Sequence, residues 1–276
     1  MKKQLNYPLI VSDFDGTLVN KDGTISLENS KAIQEYIASG GKFAISTGRL
    51  PAGILPRAKE LGLSGMVCAC QGAIIMDIES KALVSSAKLP FKTTLQIVKA
   101  MEEMGLHIQI YDLWNFYSNT DDDALKIYEN AVRGKAKLIL DKPLSQFVEE
   151  HKFESYKVLA MVRKEDNQRV IEELRKANFE GCDVTRSASY LVEVINANYS
   201  KGTAVEFLAK YYQVPLEKTI GVGDQWNDLP MIERAGLGIA VKNADQKLKE
   251  KAVVCEYTNE EGAIAKIIEK YGYTEE

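Results

Sequence analysis

The chain has 276 residues, of which 45% are hydrophobic and 27% charged, and its formal net charge is -4. This balance is typical of a globular protein with a substantial core, and the length fits one large domain or two of medium size. The acidic charge gives no electrostatic reason to expect a nucleic acid as partner. Since the sequence has neither an apolar run long enough to span a membrane nor a signal-peptide pattern, we expect a cytoplasmic protein.

The first part of the chain alternates between short apolar runs and helical patterns. The runs predict strands buried on both faces of a parallel sheet, and helices are expected between them. A hairpin is expected from AIIMD and KALVSS, which flank the turn DIES. The predicted strands are LIVS (9–12), KFAIS (42–46) and GMVCACQG (65–72), and the predicted helices cover 27–41 and 51–62.

Residues 88–190 show a different order of predicted elements. The order of predicted elements is αββαβαββ, which indicates a compact α+β insert over an antiparallel sheet. Its last two strands come from CDVTRSASYLVEVI (182–195), interpreted as a closing hairpin. The pattern therefore divides the chain into a core, residues 1–87 and 191–276, and an inserted domain, residues 88–190.

The alternation of helices and strands resumes after residue 200. Helical patterns begin at Lys201, Leu229 and Asn259, and buried strands are expected at TIGVGD and LGIAV. This order predicts an α/β fold with a Rossmann-like parallel-sheet core.

Two carboxylates follow the first predicted strand. In Asp13-Phe14-Asp15-Gly16, a turn at Gly16 would let both aspartates face one point. Such close anions repel each other unless a cation lies between them, and Mg²⁺ is the natural one because it prefers oxygen ligands. The alternative is an ordinary surface turn, which uses the same residue types.

Two further motifs carry groups suited to phosphate. In Ser46-Thr47-Gly48-Arg49, the sequence offers a hydroxyl, an open backbone and a guanidinium fork, although a strand-to-helix turn with an N-cap would look the same. In Ser200-Lys201-Gly202, a lysine opens a helix, where the helix dipole disfavours positive charge. A bound anion would explain Lys201; a solvated surface lysine is the alternative.

The fourth motif is Gly223-Asp224-Gln225-Trp226-Asn227-Asp228, directly after a predicted strand. Either Asn227 or Asp228 alone is explained as an N-cap of the following helix. That explanation leaves Asp224 without a role.

Together the motifs DFDGTL, STGR, SKG and GDQWND resemble, in order and separation, those of the haloacid dehalogenase (HAD) superfamily. The resemblance extends over the whole chain, and the insert is similar to the type IIB cap of Cof-type phosphatases. One departure is Gln71-Gly72-Ala73, where relatives often have Asn-Gly-Ala, and we expect the longer Gln71 to alter a contact near the substrate.

The resemblance implies a Mg²⁺-dependent phosphatase acting on small phosphorylated metabolites. Asp13 would be the nucleophile that forms an aspartyl-phosphate, and Asp15 the general acid and base. The ion would be held by Asp13, the Asp15 carbonyl and Asp224, with Asp228 orienting its surroundings. The phosphoryl group or the substrate would be held by Phe14 (through its backbone), Thr47, Gly48, Arg49, Lys201 and Asn227.

Other functions remain open at this stage. A phosphotransferase or phosphomutase would use the same fold with a sugar hydroxyl as acceptor, and a non-catalytic sugar-phosphate-binding protein would keep the fold alone. In the cap, Trp114, Tyr117 and Tyr190 are candidates for substrate contact, although core packing is expected for each. The sequence names neither the substrate nor the oligomeric state.

Overall fold

The computed structural model describes residues 4–274 and contains two β-sheets, each covered by helices. The larger sheet has eight strands in the order β14-β13-β12-β1-β2-β3-β4-β5, parallel except for the antiparallel pairs β3–β4 and β4–β5. Its strands are β1 (Leu9–Ser12), β2 (Lys42–Ser46), β3 (Met66–Ala69), β4 (Ile74–Asp77), β5 (Leu83–Ser86), β12 (Thr219–Gly223), β13 (Leu237–Ala240) and β14 (Val253–Val254).

The smaller sheet has six strands in the order β10-β11-β9-β6-β7-β8, antiparallel except for the pair β7–β8. Its strands are β6 (His107–Tyr111), β7 (Phe116–Ser118), β8 (Lys137–Leu138), β9 (Val158–Met161), β10 (Cys182–Ala188) and β11 (Leu191–Asn196).

Ten α-helices connect the strands within residues 4–274, and none of them has the length and apolar character needed to cross a membrane. They are α1 (Leu27–Ala38), α2 (Pro51–Glu60), α3 (Phe91–Glu103), α4 (Asp123–Val132), α5 (Leu144–His151), α6 (Asn167–Ala177), α7 (Lys201–Tyr211), α8 (Leu229–Arg234), α9 (Gln246–Lys249) and α10 (Ala263–Ile267), the last continued by a π-helical turn over Ile268–Gly272.

Alternation along β1 explains why the larger sheet is covered on both faces. Successive side chains of a strand point to opposite sides, and all four residues of β1 are buried. Leu9 and Val11 pack with apolar residues of α7 and α8, whereas Ile10 packs with residues of α1, α2 and α10. The result is a three-layer α/β core, and the predicted fold class is confirmed.

The inserted unit, which we call the cap, packs α3, α5 and α6 against one face of the smaller sheet. Its element order is αββαβαβαββ, longer than the predicted αββαβαββ. The sequence pattern missed β8 and α5, between residues 137 and 151. β8 has only two residues, both exposed, so it has no apolar alternation by which it could be recognised.

The expected domain boundary between residues 190 and 191 cuts a hairpin. β11 pairs with β10 on one side and with β9 on the other, so residues up to Asn196 lie in the cap sheet. The boundary therefore moves to the segment between β11 and α7, because strand pairing decides to which sheet a segment belongs.

Candidate active site

The central strands of the larger sheet bring three of the four motifs to one edge. The parallel order β12-β1-β2-β3 places the carboxyl ends of these strands side by side. Asp13 follows β1, Thr47 follows β2 and Asp224 follows β12. Ligands of open parallel sheets bind at this edge, so the topology alone assembles a site there.

Lys201 lies between two carboxylates. Its Nζ is 2.5 Å from Oδ1 of Asp13 and 2.6 Å from Oδ1 of Asp228. All three side chains are almost fully removed from solvent. Burial lowers the pKa of Lys201, but the attraction of Asp13 and Asp228 outweighs it and raises that pKa above its ordinary value. The alternative of a solvated surface lysine is thus excluded.

The first turn of α7 fixes the direction of Lys201. The Ser200 hydroxyl accepts the N–H of Thr203, and the Thr203 hydroxyl accepts the N–H of Ser200, which together form a capping box. With the start of the helix fixed, its first residue projects over the edge of the sheet rather than into solvent.

Asp228 organises the loop after β12. Its Oδ2 accepts the backbone N–H groups of Asp224 (2.8 Å) and Gln225 (2.9 Å). It makes no side-chain cap on α8, so the N-cap explanation does not hold for it. Thr17 donates to Oδ1 of Asp224 at 2.8 Å and so holds that carboxylate toward the β1 loop.

Asp13, Asp224 and Asp228 form a buried acidic cluster, with one carboxylate oxygen of each within 4.8 Å of the others. Burial raises the pKa of Asp13 well above its ordinary value, as do the charges of Asp228 and Asp224, against the lowering by Lys201. Burial and Asp228 raise the pKa of Asp224 to about 6. Three carboxylates against one ammonium leave excess negative charge, and this donor set fits a hard divalent cation.

Asp15 points away from this cluster and pairs with Arg49. Nε and Nη2 of Arg49 donate to its two oxygens at 2.7 and 2.6 Å, and Nη2 also reaches the carbonyl of Ala131 in α4, at 2.7 Å. The Asp15 side chain is 53% exposed. The left-handed Gly16 (φ 81°) supplies the expected turn, but the two aspartates do not face one point through their carboxylates. Separate partners, Lys201 and Arg49, draw them apart.

The remaining predicted residues surround the same edge. Thr47 Oγ1 accepts the N–H of Arg49 at 3.2 Å, which leaves its own proton for another acceptor. Phe14 is buried beneath the guanidinium of Arg49, 5.1 Å from ring centre to Cζ. Asn227 donates from Nδ2 to Oε1 of Gln71 at 3.0 Å, and its Oδ1 is buried without a partner among residues 4–274.

A cavity of about 170 Å³ lies over these groups, between the core and the cap. Tyr190 lines it and is 40% exposed, so the core packing expected for Tyr190 is wrong. Trp114 is 42% exposed and does not line this cavity. Tyr117 packs against Phe147 and Phe153 inside the cap, as expected. The cap contributes to the cavity Tyr128, Ala131, Val132, Lys157, Ser187, Ala188, Tyr190, Leu191 and Glu193.

Sequence reasoning missed the buried cap residues Lys157 and Glu193, which form an ion pair of 3.3 Å with exposures of 2% and 1%. One signal for them was present. Glu193 interrupts the apolar run Leu-Val-Glu-Val-Ile of β11, and a carboxylate inside such a run requires a partner.

A parallel α/β core with an inserted α+β cap over an aspartate-rich edge defines a class of hydrolases. The sequence matches the family described as haloacid dehalogenase-like hydrolase over residues 10–268, and the chain belongs to this family.

Relatives match along nearly the full length. A putative phosphatase of Haemophilus influenzae is 30% identical over 269 residues, covering 96% of this chain and 98% of that protein. A haloacid dehalogenase-like hydrolase of B. subtilis, of known structure, superposes with a TM-score of 0.84 at 25% identity, over 95% of this chain and 99% of that one. A HAD subclass IIB sugar phosphatase shares the fold, with a TM-score of 0.81 at 20% identity over 95% and 97% of the two chains. The predicted family and phosphatase activity are confirmed.

Proposed function

We propose that this phosphatase hydrolyses small phosphorylated metabolites, such as sugar phosphates, through a phosphoryl group carried on Asp13, and that it depends on Mg²⁺. The observation that carries the proposal is the buried contact of Lys201 with Asp13 beneath a small cavity. An ammonium at this place would neutralise a phosphoryl group approached by an anionic nucleophile.

Asp13 is the proposed nucleophile because it combines burial, position and a free oxygen. Its Oδ1 accepts from Lys201, and its Oδ2 has no hydrogen-bond partner among the described residues. Attack by Oδ2 on phosphorus would form the aspartyl-phosphate and break the bond to the leaving oxygen. Water would then release phosphate and regenerate the carboxylate.

Asp15 is the proposed acid and base. It lines the cavity beside Asp13, and Arg49 holds both of its oxygens. To act as the acid, Asp15 must first carry a proton on an oxygen that has left Arg49; it would give this proton to the leaving oxygen and, as the carboxylate, later take one from the attacking water. Pairing with Arg49 keeps the side chain in place between the two steps.

The acidic cluster is the proposed Mg²⁺ site. Asp13, Asp224 and the backbone carbonyl of Asp15 would hold the ion, while Asp228, whose oxygens are occupied by Lys201 and two backbone N–H groups, would hold the loop. Bound Mg²⁺ supplies positive charge that favours the ionised form of these carboxylates and stabilises a transferring phosphoryl group.

The cavity supports a small substrate with hydrogen-bonding groups. Its lining combines Ser187, Tyr190 and Asn227 with the apolar side chains of Val132 and Leu191. Thr47, with its hydroxyl proton free, and Lys201 are the proposed contacts for the phosphoryl oxygens. Phe14 would contribute through its backbone.

The nucleophile assignment predicts that Asp13→Asn abolishes phosphate release from para-nitrophenyl phosphate. The amide keeps the shape of the side chain but cannot form the acyl phosphate, so we expect a loss of at least about a thousandfold in kcat with an intact fold. Measurement without an added acceptor separates hydrolysis from phosphotransfer.

Asp141→Asn is the matched control, since Asp141 is an exposed cap residue. It should keep full activity. Near-normal turnover in Asp13→Asn, with circular dichroism unchanged, would remove Asp13 from the mechanism.

A further inference from the structure

A chain of buried hydrogen bonds links the cap to the turn after β2. Lys157 precedes β9, and its Nζ donates to the backbone carbonyl of Gly48 at 3.0 Å while it pairs with Glu193 at 3.3 Å. The other Glu193 oxygen accepts a short hydrogen bond from Ser187. Lys157 and Glu193 are both cap residues, whereas Gly48, whose carbonyl accepts from Lys157, belongs to the core.

The alternation of the cap strands directs these two side chains toward the core. On β11, Val192 and Val194 pack into the cap interior, whereas Leu191 packs with the core cluster. Residues two positions apart on a strand point to the same side of the sheet, so Glu193 points to the same side as Leu191. Lys157 likewise points to the same side as Leu159, which lies two residues further on in the neighbouring strand β9 and also packs with the core cluster.

Gln71 extends the chain of hydrogen bonds to the fourth motif. Its Nε2 donates to Oε2 of Glu193 at 3.0 Å, and its Oε1 accepts from Nδ2 of Asn227 at 3.0 Å. A carboxylate only accepts hydrogen bonds, so Glu193 fixes which end of the Gln71 amide faces it. The orientation of Gln71 in turn fixes the amide of Asn227.

The backbone conformation of Gln71 is one that its hydrogen bonds to Glu193 and Asn227, which we call the Gln71 bridge, help to stabilise. It lies in the left-handed region (φ 61°), directly after Cys70 in the same region (φ 48°), and its side chain is 2% exposed. Two consecutive non-glycine residues in this conformation carry a strain that the surrounding contacts must offset. The Gln71 bridge is one such contact.

We propose that Lys157 and Glu193 are positioning residues of the phosphatase, which hold the Thr47–Gly48 turn and, through Gln71, Asn227 in their phosphate-binding arrangement. Both residues belong to the cap. The Thr47–Gly48 turn therefore receives the hydrogen bond from Lys157 only when the cap sheet lies against the core. This inference rests on the proposed function.

The test replaces the pair by apolar residues of similar size, in the variant Lys157→Met/Glu193→Leu. Removing both charges together avoids leaving one unpaired in the interior, and such replacements are often neutral for stability. We measure the inhibition constant of inorganic phosphate in the presence of Mg²⁺, and kcat/KM for para-nitrophenyl phosphate and ethyl phosphate. Loss of a charged hydrogen bond to the turn should raise the inhibition constant about tenfold and lower both kcat/KM values by a similar factor.

Gln71→Asn is the second variant, and it decides the question if the double variant does not fold. Asparagine adopts the left-handed conformation readily, but its amide is one methylene too short to reach both Glu193 and Asn227. A several-fold rise in the inhibition constant of phosphate is expected. The control is Lys142→Met/Glu150→Leu, which removes a partly exposed cap ion pair of 2.8 Å and should change neither constant.

The outcomes separate the possible roles. An unchanged phosphate inhibition constant in folded variants overturns the inference. A rise in KM for para-nitrophenyl phosphate but not for ethyl phosphate also overturns it, because it would indicate direct contact of the pair with the leaving group. If the wild-type protein releases no phosphate from either ester, the proposed function fails and this inference falls with it. Hydrolysis that persists with unaltered phosphate binding overturns the inference alone.

Discussion

At the scale of single residues, the site depends on how closely the start of α7 approaches the larger sheet as much as on charge. Gly72 has φ +90°, and a Cβ at this position would lie 2.3 Å from the carbonyl oxygen of Ser200. Ser200 caps α7, whose first residue is Lys201. Gly72 therefore lets the start of α7 approach the sheet closely enough for Lys201 to reach Asp13.

Gly72→Ala should damage both stability and catalysis. The added methyl group must displace Ser200, and Lys201 with it, so we expect a loss of about 2–4 kcal/mol in the free energy of unfolding and a fall of at least about tenfold in kcat/KM. Urea denaturation and steady-state kinetics measure the two effects.

Gly105→Ala is the control for backbone strain alone. Gly105 also has positive φ (67°), but nothing lies within 4 Å of a Cβ built there. We expect about 1 kcal/mol of destabilisation and unchanged kinetics. Equal kinetic effects in the two variants would show that the approach of Ser200 to Gly72 does not matter for Lys201.

At the scale of elements, β3 illustrates how burial controls side-chain chemistry. Cys68 lies in β3 and Cys70 follows it, and burial raises the pKa of both thiols to about 12. Cys182 at the start of β10 and Cys255 after β14 are partly exposed. All four cysteines are free thiols.

This difference predicts the order of thiol labelling. Burial also raises the pKa of Cys182 to about 11 and raises that of Cys255, so access separates the four thiols more than ionisation does. Cys68 and Cys70 are fully buried, whereas a disulfide reagent can reach the partly exposed Cys182 and Cys255. Titration of the native protein with an aromatic disulfide should modify Cys182 and Cys255 and spare Cys68 and Cys70 until the protein is denatured. Mass spectrometry of the labelled peptides identifies the sites, and early modification of Cys68 would contradict the buried strand.

At the scale of the whole molecule, only the folded chain assembles the acidic cluster. Asp13 and Asp224 are separated by most of the sequence and meet because β1 and β12 are adjacent. A ligand that binds the folded state alone stabilises it in proportion to the logarithm of its concentration. The proposed Mg²⁺ site therefore makes a prediction about thermal unfolding.

Mg²⁺ at about a hundred times its dissociation constant should stabilise the protein by about 2.7 kcal/mol, which raises the unfolding midpoint by roughly 5–10 °C. EDTA should remove both this shift and the phosphatase activity, and added Mg²⁺ should restore them. Asp224→Asn should reduce the shift strongly, while Asp141→Asn keeps it. A midpoint and turnover insensitive to EDTA would rule out the proposed metal site.

The sequence alone determined the α/β fold, the presence of an insert and the edge of the sheet where the motifs meet. It did so because three of the four motifs directly follow an apolar run, and parallel strands end at a common edge. It also identified Lys201 as a residue out of keeping with an ordinary helix start. Local patterns carry this information, since burial and periodicity are properties of neighbouring residues.

Only the tertiary structure decided how the cap meets the core. The pairing of Asp15 with Arg49, the end of the cap at Asn196 and the Lys157–Glu193–Gln71 chain of hydrogen bonds join residues far apart in sequence. Their partners follow from the placement of one sheet against another, which no local pattern encodes. A charged residue within an apolar run indicates that a buried partner exists, but only the fold determines which residue is that partner.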